Sequence, residues 1–195
     1  MKQFRGISDV YIAKVLTDTE EGITFDEPKR LMYVARVGKE VSSDSASLFY
    51  DNKAMAVINS EGSDEITIEG SALELDVLAE ITGKTYDETL GMFIDSERQV
   101  EYFALGYKEK MLDGSFRYNW RMKGTFAIPA VESNTENDGT DSNGQTVNYT
   151  GVYTEHKFAK ANNKAAKGIV VSDELADVST WFETVQTPDS VKAAV

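Results

Sequence analysis

The feature of the sequence that most constrains its fold is a pair of alternating segments joined by Asp113 and Gly114. The segments read VEYFALGYKEKM and SFRYNWRMKGTF, and Asp-Gly is a favoured pair for a tight β-hairpin turn. In the second segment apolar side chains alternate with polar or basic ones: Phe116, Tyr118, Trp120 and Met122 against Arg117, Asn119, Arg121 and Lys123. This pattern predicts an antiparallel hairpin that packs on one face only.

Other segments also alternate with a period of two between turn residues. ISDVYIAKVL and RLMYVARVG each alternate in this way, which is typical of half-buried strands. AMAVINS and DEITIEG follow, and the intervening Glu61, Gly62 and Ser63 predict a hairpin turn. Towards the C-terminus, TVNYTGVYTEHKF predicts one further strand.

One central helix is predicted in SALELDVLAEITG. The spacing of Ser71 and Glu74 is that of a capping box, which marks a helix start, and Gly83 is expected to end the helix. The apolar residues at helical spacing are Leu73, Val77 and Ile81.

A short C-terminal helix is predicted in SDELADVSTWFETVQTPDSV, where Pro188 would stop it. Its apolar residues are Leu175, Val178, Trp181, Phe182 and Val185.

These elements predict a mainly β fold of the α+β kind. We expect an antiparallel β-sandwich or partly open barrel, with one packed central helix and one short C-terminal helix. The length of 195 residues suits a single domain. Residues 1–160 would form the β-sandwich, and residues 161–195 would add a C-terminal strand and helix segment to the same domain.

The segment GKEVSSDSASLFYDNKA, residues 38–54, is a long and mostly polar stretch between two predicted strands. Most hairpin loops need only two to five residues, so a connection of this length tends to have a function or to lack order. Leu48, Phe49 and Tyr50 lie together within it. The residues alone leave two interpretations open: an arm that contacts a neighbouring molecule, or a loop whose apolar residues plug their own core.

Composition limits the chemistry that this chain can perform. The net charge of −13 disfavours nucleic-acid binding, because contacts to phosphates need clustered basic residues. The chain has no cysteine and one histidine, so it cannot form the usual zinc sites. The N-terminus has no apolar run of signal-peptide length, and we expect synthesis in the cytoplasm without a membrane span.

The residue patterns point to no catalytic or metal site, and no cofactor is expected. His156 is interpreted as a surface residue of a strand rather than a catalytic base. The 33 acidic residues are scattered, so pairs among them say little about a hydrolase. The polar loop at 132–146 fails the calcium-loop pattern, since Gly139 and Thr150 would stand where acidic residues are needed. A weak, irregular calcium site there stays open.

Several local strings, in their order along the chain, resemble the major tail protein family of long-tailed phages that infect Gram-positive bacteria. They are FRGISDVYIAKV, EITIEG, ALELDVLAEITGKTYD, EYFALGYKEKMLDGSFRYNW, YTGVYTEHKF and WFETVQTP. The resemblance covers nearly the whole chain and rests on element order rather than on a catalytic signature.

The resemblance implies a non-enzymatic structural subunit of a tail tube. Six subunits would close into a ring, and rings would stack into the conduit for genome ejection. The implied partners are other copies of the chain together with the tape-measure, tail-tip and tail-terminator proteins. Double-stranded DNA would pass through the lumen without specific binding, and the location would be the tail of the virion.

The resemblance also implies a role for the segment at 38–54. In such tubes the long connection between two early strands reaches neighbouring subunits. The expected interface residues are Ser43, Asp44, Leu48, Phe49 and Tyr50. The three apolar residues would anchor the contact, and the polar ones would supply hydrogen bonds at its rim.

Two other function classes are weighed against the tube subunit. One is a non-catalytic β-sandwich binding module of the carbohydrate or adhesin type, which would expose coplanar aromatic rings and associate little. The other is a hydrolase, which would need a cleft that gathers carboxyl groups of raised pKa. Concentration-dependent polymerisation separates the tube subunit from both.

Overall fold

The computed structural model of this chain describes residues 3–50, 53–130 and 144–194. The prediction of a mainly β fold is confirmed: 56% of the chain is strand, 7% is helical, and the sheets are antiparallel. The strands are β1 (Phe4–Thr19), β2 (Gly22–Phe25), β3 (Lys29–Met32), β4 (Val34–Tyr50), β5 (Lys53–Gly70), β6 (Thr85–Asp87), β7 (Met92–Ile94), β8 (Phe103–Met111), β9 (Phe116–Phe126), β10 (Gln145–Gly151), β11 (Lys157–Phe158), β12 (Lys164–Ala165) and β13 (Gly168–Ser172). The described helices are α1 (Leu75–Thr82) and the single 3-10 turn Ala159–Ala161.

The main sheet runs in the order β2-β1-β8-β9-β10-β5-β4. Strand β3 pairs with β1, and after a one-residue break at Tyr33 the chain continues as β4, which pairs with β5. The pairings therefore form a circuit from β1 through β8, β9, β10, β5 and β4, and from β4 through the adjoining β3 back to β1, which is a partly open barrel. Strand β9 has two further partners: β13 along 117–121 and β10 along 124–126.

Two apolar clusters hold this barrel together, one on each face of its wall. Phe103 and Leu105 belong to one cluster and Ala104 to the other, as expected for alternate residues of a strand. Helix α1 packs on the first cluster through Val77 and Ile81. The second cluster joins the wall to the C-terminal segment: Ala104, Trp120, Met122, Phe158 and Trp181.

The hairpin at Asp113 and Gly114 is confirmed as β8 and β9. Gly114 has a φ of 94°, a conformation that favours glycine, and Asp113 Oδ1 accepts a bond from the Ser115 amide at 3.1 Å. The prediction that this hairpin packs on one face only is wrong. Asn119 and Arg121 lie on the opposite face of β9 from Trp120, and all three side chains are buried. Both faces of the strand are therefore covered.

The central helix is confirmed with a different beginning. Gly83 ends it with a φ of 66° and donates to the carbonyls of Ala79 and Glu80. The predicted capping box is wrong: the helix starts at Leu75, and no side chain caps it. Ser71 is engaged elsewhere, since its hydroxyl oxygen accepts a bond from the Tyr33 amide at 3.1 Å.

Two predicted strand boundaries are wrong. RLMYVARVG is divided at Tyr33 into β3 and β4, because the chain leaves β1 there and turns to β5. The hairpin predicted at residues 61–63 does not form. Strand β5 runs through these residues without interruption, and Gly62 lies in a bulge opposite Ser42.

The prediction of a short C-terminal helix is also wrong, since residues 173–190 form successive turns. The Asp177 carboxylate accepts bonds from the Ser179 amide at 3.0 Å and hydroxyl at 2.7 Å, which is a local alternative to helical bonding. Short-range bonds such as Trp181 N to the Val178 carbonyl, at 3.2 Å, replace the helical ladder. The turns bury Trp181 and leave Leu175 79% exposed.

Candidate assembly site: the arm of the β4–β5 hairpin

The segment predicted as a loop is the outer part of a long hairpin. Strands β4 and β5 pair from Val34 and Gly70 at the barrel to Tyr50 and Lys53 at the far end. We call residues 41–50 and 53–61 the arm. At about 3.3 Å per residue the arm extends roughly 30 Å. In the part of the chain that the structure describes, the arm pairs with no third strand.

Every described side chain of the arm is exposed, on both faces of the ribbon. Among them are three large apolar residues: Val41 is 42% exposed, Met55 68% and Val57 60%. A two-stranded ribbon without a covered face has little stability of its own in water. The exposed apolar side chains therefore distinguish the arm from an ordinary polar loop.

The predicted interface residues lie on β4 within the arm. The backbone of Ser43 is paired with Glu61, and that of Asp44 with Ser60. Leu48 is paired with Ala56, Phe49 with Ala54 and Tyr50 with Lys53. The Ser43 side chain is exposed. The side chains of the other four residues lie outside the described part of the chain, so their role stays a prediction.

Sequence reasoning missed the opposite strand of the arm. Met55 and Val57 alternate in AMAVINS, a pattern that predicts an ordinary half-buried strand. Their register opposite residues 47 to 50 shows that both strands belong to one ribbon. The available signal was the serine-rich run at 42–47 on the partner strand, since serine side chains give the residues opposite them little apolar surface to pack on.

The root of the arm contains a β-bulge. Val41 pairs with Asp64 and Ser43 with Glu61, so β5 has one residue more than β4 in this interval. The bulge includes Gly62, where an added Cβ would lie 3.1 Å from the Ser42 side chain. A bulge bends its strand and increases the twist, and this one lies where the arm leaves the barrel.

A buried carboxylate, Asp64, lies beside the bulge. Its Oδ2 is 3.1 Å from Lys39 Nζ and 3.3 Å from Arg121 Nη1, which are ionic contacts without hydrogen-bond geometry. Its Oδ1 is 3.5 Å from Lys167 Nζ. Because an unpaired buried carboxylate is strongly disfavoured, these three cations are what allow Asp64 to lie at the root of the arm.

Lys167 also binds the bulge itself. Its ammonium group lies 2.7 Å from Glu61 Oε1 and donates to the carbonyl oxygen of Gly62. The hydrogen bond from Lys167 lowers the pKa of Glu61. Burial disfavours the charged form of Lys167, but its bond to Glu61 and its proximity to Asp64 and Tyr153 outweigh burial and raise its pKa.

The other residues considered for chemistry occupy structural positions. His156 lies in a bend before β11 rather than on a strand, so that prediction is wrong. Its amide donates to Asp18 Oδ1 at 3.0 Å. Most of the polar loop at 132–146 lies outside the described residues. The residues that are described bring together no acidic or histidine cluster that could hold a metal ion.

The carboxyl groups with shifted pKa values all shift in one direction. Among the described residues these groups are Asp9, Asp18, Glu61, Asp177 and Asp189, and each has a lowered pKa. Ion pairs and hydrogen bonds to the ionised form produce this direction. A general acid in a cleft would need the opposite shift.

No protein-family model matches this chain, and no curated protein matches its sequence. Among the described residues, no helix combines the length and the apolar character that crossing a bilayer requires.

Proposed function

We propose that this chain is a structural subunit of a phage tail tube. Six copies would form a ring, and rings would stack into the conduit through which genomic DNA leaves the capsid. The observation that carries the proposal is the arm, an extended ribbon that exposes Met55 and Val57 beyond a well-packed barrel. It is supported by the resemblance of the sequence to major tail proteins.

The arm has the physical character of an assembly element. It lies outside the barrel, where its own chain offers it no covering surface among the described residues. Exposed apolar side chains and a free strand edge both favour contact with another chain. When the arm of one copy contacts a different surface of the next, the contact is heterologous, and such contacts close into rings or propagate as filaments.

The charge of the chain suits a conduit for DNA. A ring of six copies would carry a net charge of −78, which is six times the net charge of −13. Acidic residues on the lumen would repel the phosphates and keep the duplex from adhering to the wall. Neutralising those residues should slow DNA release in an assembled particle, and unchanged ejection would count against this part of the proposal.

Assembly of the purified chain tests the proposal directly. Negative-stain microscopy and sedimentation velocity across a concentration series should show hollow rings or tubes of uniform bore. If the chain alone is monomeric, the same series is repeated with tail-tip complexes or short tube fragments as seeds. Growth on these seeds would support the proposal. A chain that stays monomeric with and without seeds would overturn it.

A non-catalytic binding module is the second candidate. The observation that favours it is a set of exposed tyrosine rings; of the tyrosines whose side chains the structure describes, Tyr33 is the most exposed at 74%, followed by Tyr153 and Tyr102. Such rings could stack on sugars. A glycan screen with the monomeric protein separates the two candidates. Saturable sugar binding that is lost in Tyr33→Ala, together with an absence of polymerisation, would favour the module.

A further inference from the structure

We propose that Lys167 is a positioning residue that fixes the direction of the arm, and that the C-terminal segment controls the arm through it. The inference rests on the proposed function only in giving the arm its role in assembly. The first step is the place of the side chain. Lys167 is only 6% exposed, and its ammonium group reaches the root of the arm from a part of the sequence more than 100 residues away.

The second step is the hydrogen bond that the ammonium group supplies at the bulge. At a β-bulge the extra residue is left without a ladder partner, and the local pairing is disrupted. The carbonyl oxygen of Gly62 lies in such a bulge and accepts its bond from Lys167 Nζ. The same ammonium group contacts the flanking carboxylates of Glu61 and Asp64. One cation therefore contacts three of the four residues from 61 to 64.

The third step is what fixes Lys167. Its carbonyl oxygen accepts a bond from the Met122 amide at 2.8 Å, and the next residue, Gly168, begins β13 opposite Arg121. At Gly168 an added Cβ would lie 2.3 Å from the carbonyl oxygen of Trp120, so the backbone approaches β9 closely. Lys167 is thus fixed to the barrel wall while its side chain holds the arm.

This arrangement gives the residues after Lys160 a role beyond covering the wall. If β13 separates from β9, the ammonium group leaves Gly62 and the bulge loses its partner. The arm would then change direction while the barrel keeps its core. Lys39 and Arg121 would still neutralise Asp64, so loss of Lys167 should reorient the arm without leaving a buried charge unpaired.

The absence of cysteine from the sequence allows a direct test. Cysteines introduced as Val57→Cys on the arm and Leu175→Cys on the C-terminal turns can carry spin labels, since both positions are exposed. Pulsed electron paramagnetic resonance then gives the distribution of distances between arm and barrel in the isolated subunit. In the otherwise unchanged chain we expect one narrow distribution.

In Lys167→Met we expect the population of reoriented arms to rise about tenfold, because a hydrogen bond from a charged donor is lost. Lys167→Arg keeps a charged donor and should restore the narrow distribution. Lys160→Met is the matched control, since Lys160 Nζ also donates to backbone carbonyls, those of Asp189 and Val191, without contacting the arm. It should leave the distribution unchanged.

An unchanged distribution in folded Lys167→Met, or an equal broadening in Lys160→Met, would overturn the proposal. If Lys167→Met fails to fold, Glu61→Ala replaces it, because this largely exposed partner can be removed without disturbing the core. Glu61→Ala should raise the population of reoriented arms about threefold, and an unchanged population would again overturn the proposal. Because the distances are measured in isolated subunits, the outcome is independent of whether the chain forms tubes.

Discussion

The indole N–H of Trp120 donates a hydrogen bond to the carbonyl oxygen of Trp181 at 3.0 Å. This bond joins the outer face of β9 to the C-terminal turns at the centre of the second apolar cluster. Both indole side chains are almost completely buried. The C-terminal segment is therefore packed as part of the barrel and not as a loosely attached tail.

Trp181→Ala should lower the free energy of unfolding by about 3–5 kcal/mol, because it removes a large buried side chain and leaves a cavity. Urea denaturation followed by circular dichroism measures the loss. Leu175→Ala, in the same turns but mostly exposed, should change the free energy by less than about 0.5 kcal/mol. Equal effects of the two variants would contradict the packing described for this segment.

The stability of the protein should depend on pH through Asp18. Burial raises the pKa of this carboxyl group, but hydrogen bonds from Lys123 and the amides of Glu155 and His156 outweigh burial and lower it below its ordinary value of 3.8. A lowered pKa in the folded state means that the ionised group stabilises the fold above the unfolded pKa. This contribution is lost as the pH falls through the folded pKa.

Asp18→Asn should therefore destabilise the protein at pH 7, and its difference from the unmodified chain should shrink below pH 3.8. Denaturant titrations at a series of pH values measure the difference. Glu27→Gln removes an exposed carboxylate from the chain following β2 and is the control. A difference that grows on acidification would show that the sign is wrong.

Gly106→Ala should destabilise the barrel by about 1–3 kcal/mol through overpacking. An added Cβ at Gly106 would lie 2.8 Å from three atoms of the Trp120 ring. Gly38→Ala is the matched strand control, because its added Cβ meets nothing within 4 Å. Thermal unfolding should show a lower midpoint for Gly106→Ala and an unchanged or higher one for Gly38→Ala. Equal midpoints would contradict the close approach of Trp120.

The double variant Met55→Ser, Val57→Ser should raise the concentration needed for polymerisation about tenfold or more, since apolar anchors contribute most of the affinity of an interface. Its free energy of unfolding should stay close to that of the unmodified chain, because both side chains are exposed in the subunit. Sedimentation across a concentration series measures the concentration needed for polymerisation, and denaturation measures the free energy of unfolding.

Leu175→Ser removes an even more exposed apolar side chain from a different surface and is the control for the arm variant. If it changes the critical concentration as strongly as the double variant does, the arm has no special role in assembly.

Local chemistry made part of the fold predictable. The Asp113-Gly114 turn and the helix end at Gly83 were found because both depend on residues adjacent in the sequence and on the left-handed conformation that glycine accepts. Alternation located the strands that have one buried face. It is a signal of burial, so it works where the two faces of a strand differ.

Sequence patterns gave wrong predictions where the burial of a segment departs from the usual one. Arg121 is a charged residue on the inner side of β9, and its burial depends on its contact with Asp64, which is far away in the sequence. Trp181 and Phe182 have helical spacing with their apolar neighbours, yet the Asp177 side chain binds Ser179 and favours turns. The arm has no buried face among its described residues, so its sequence resembled a loop.

Strand β5 has a mechanical consequence. It is one uninterrupted strand from Lys53 in the arm to Gly70 at the barrel, and its inner part is bonded to β10 from Asp64 to Gly70. These bonds lie perpendicular to the strand. Tension applied to the arm along β5 therefore loads them in shear, all at once, and not one after another as in peeling. The hairpin that would join two subunits is thus anchored in the geometry that best resists a pulling force.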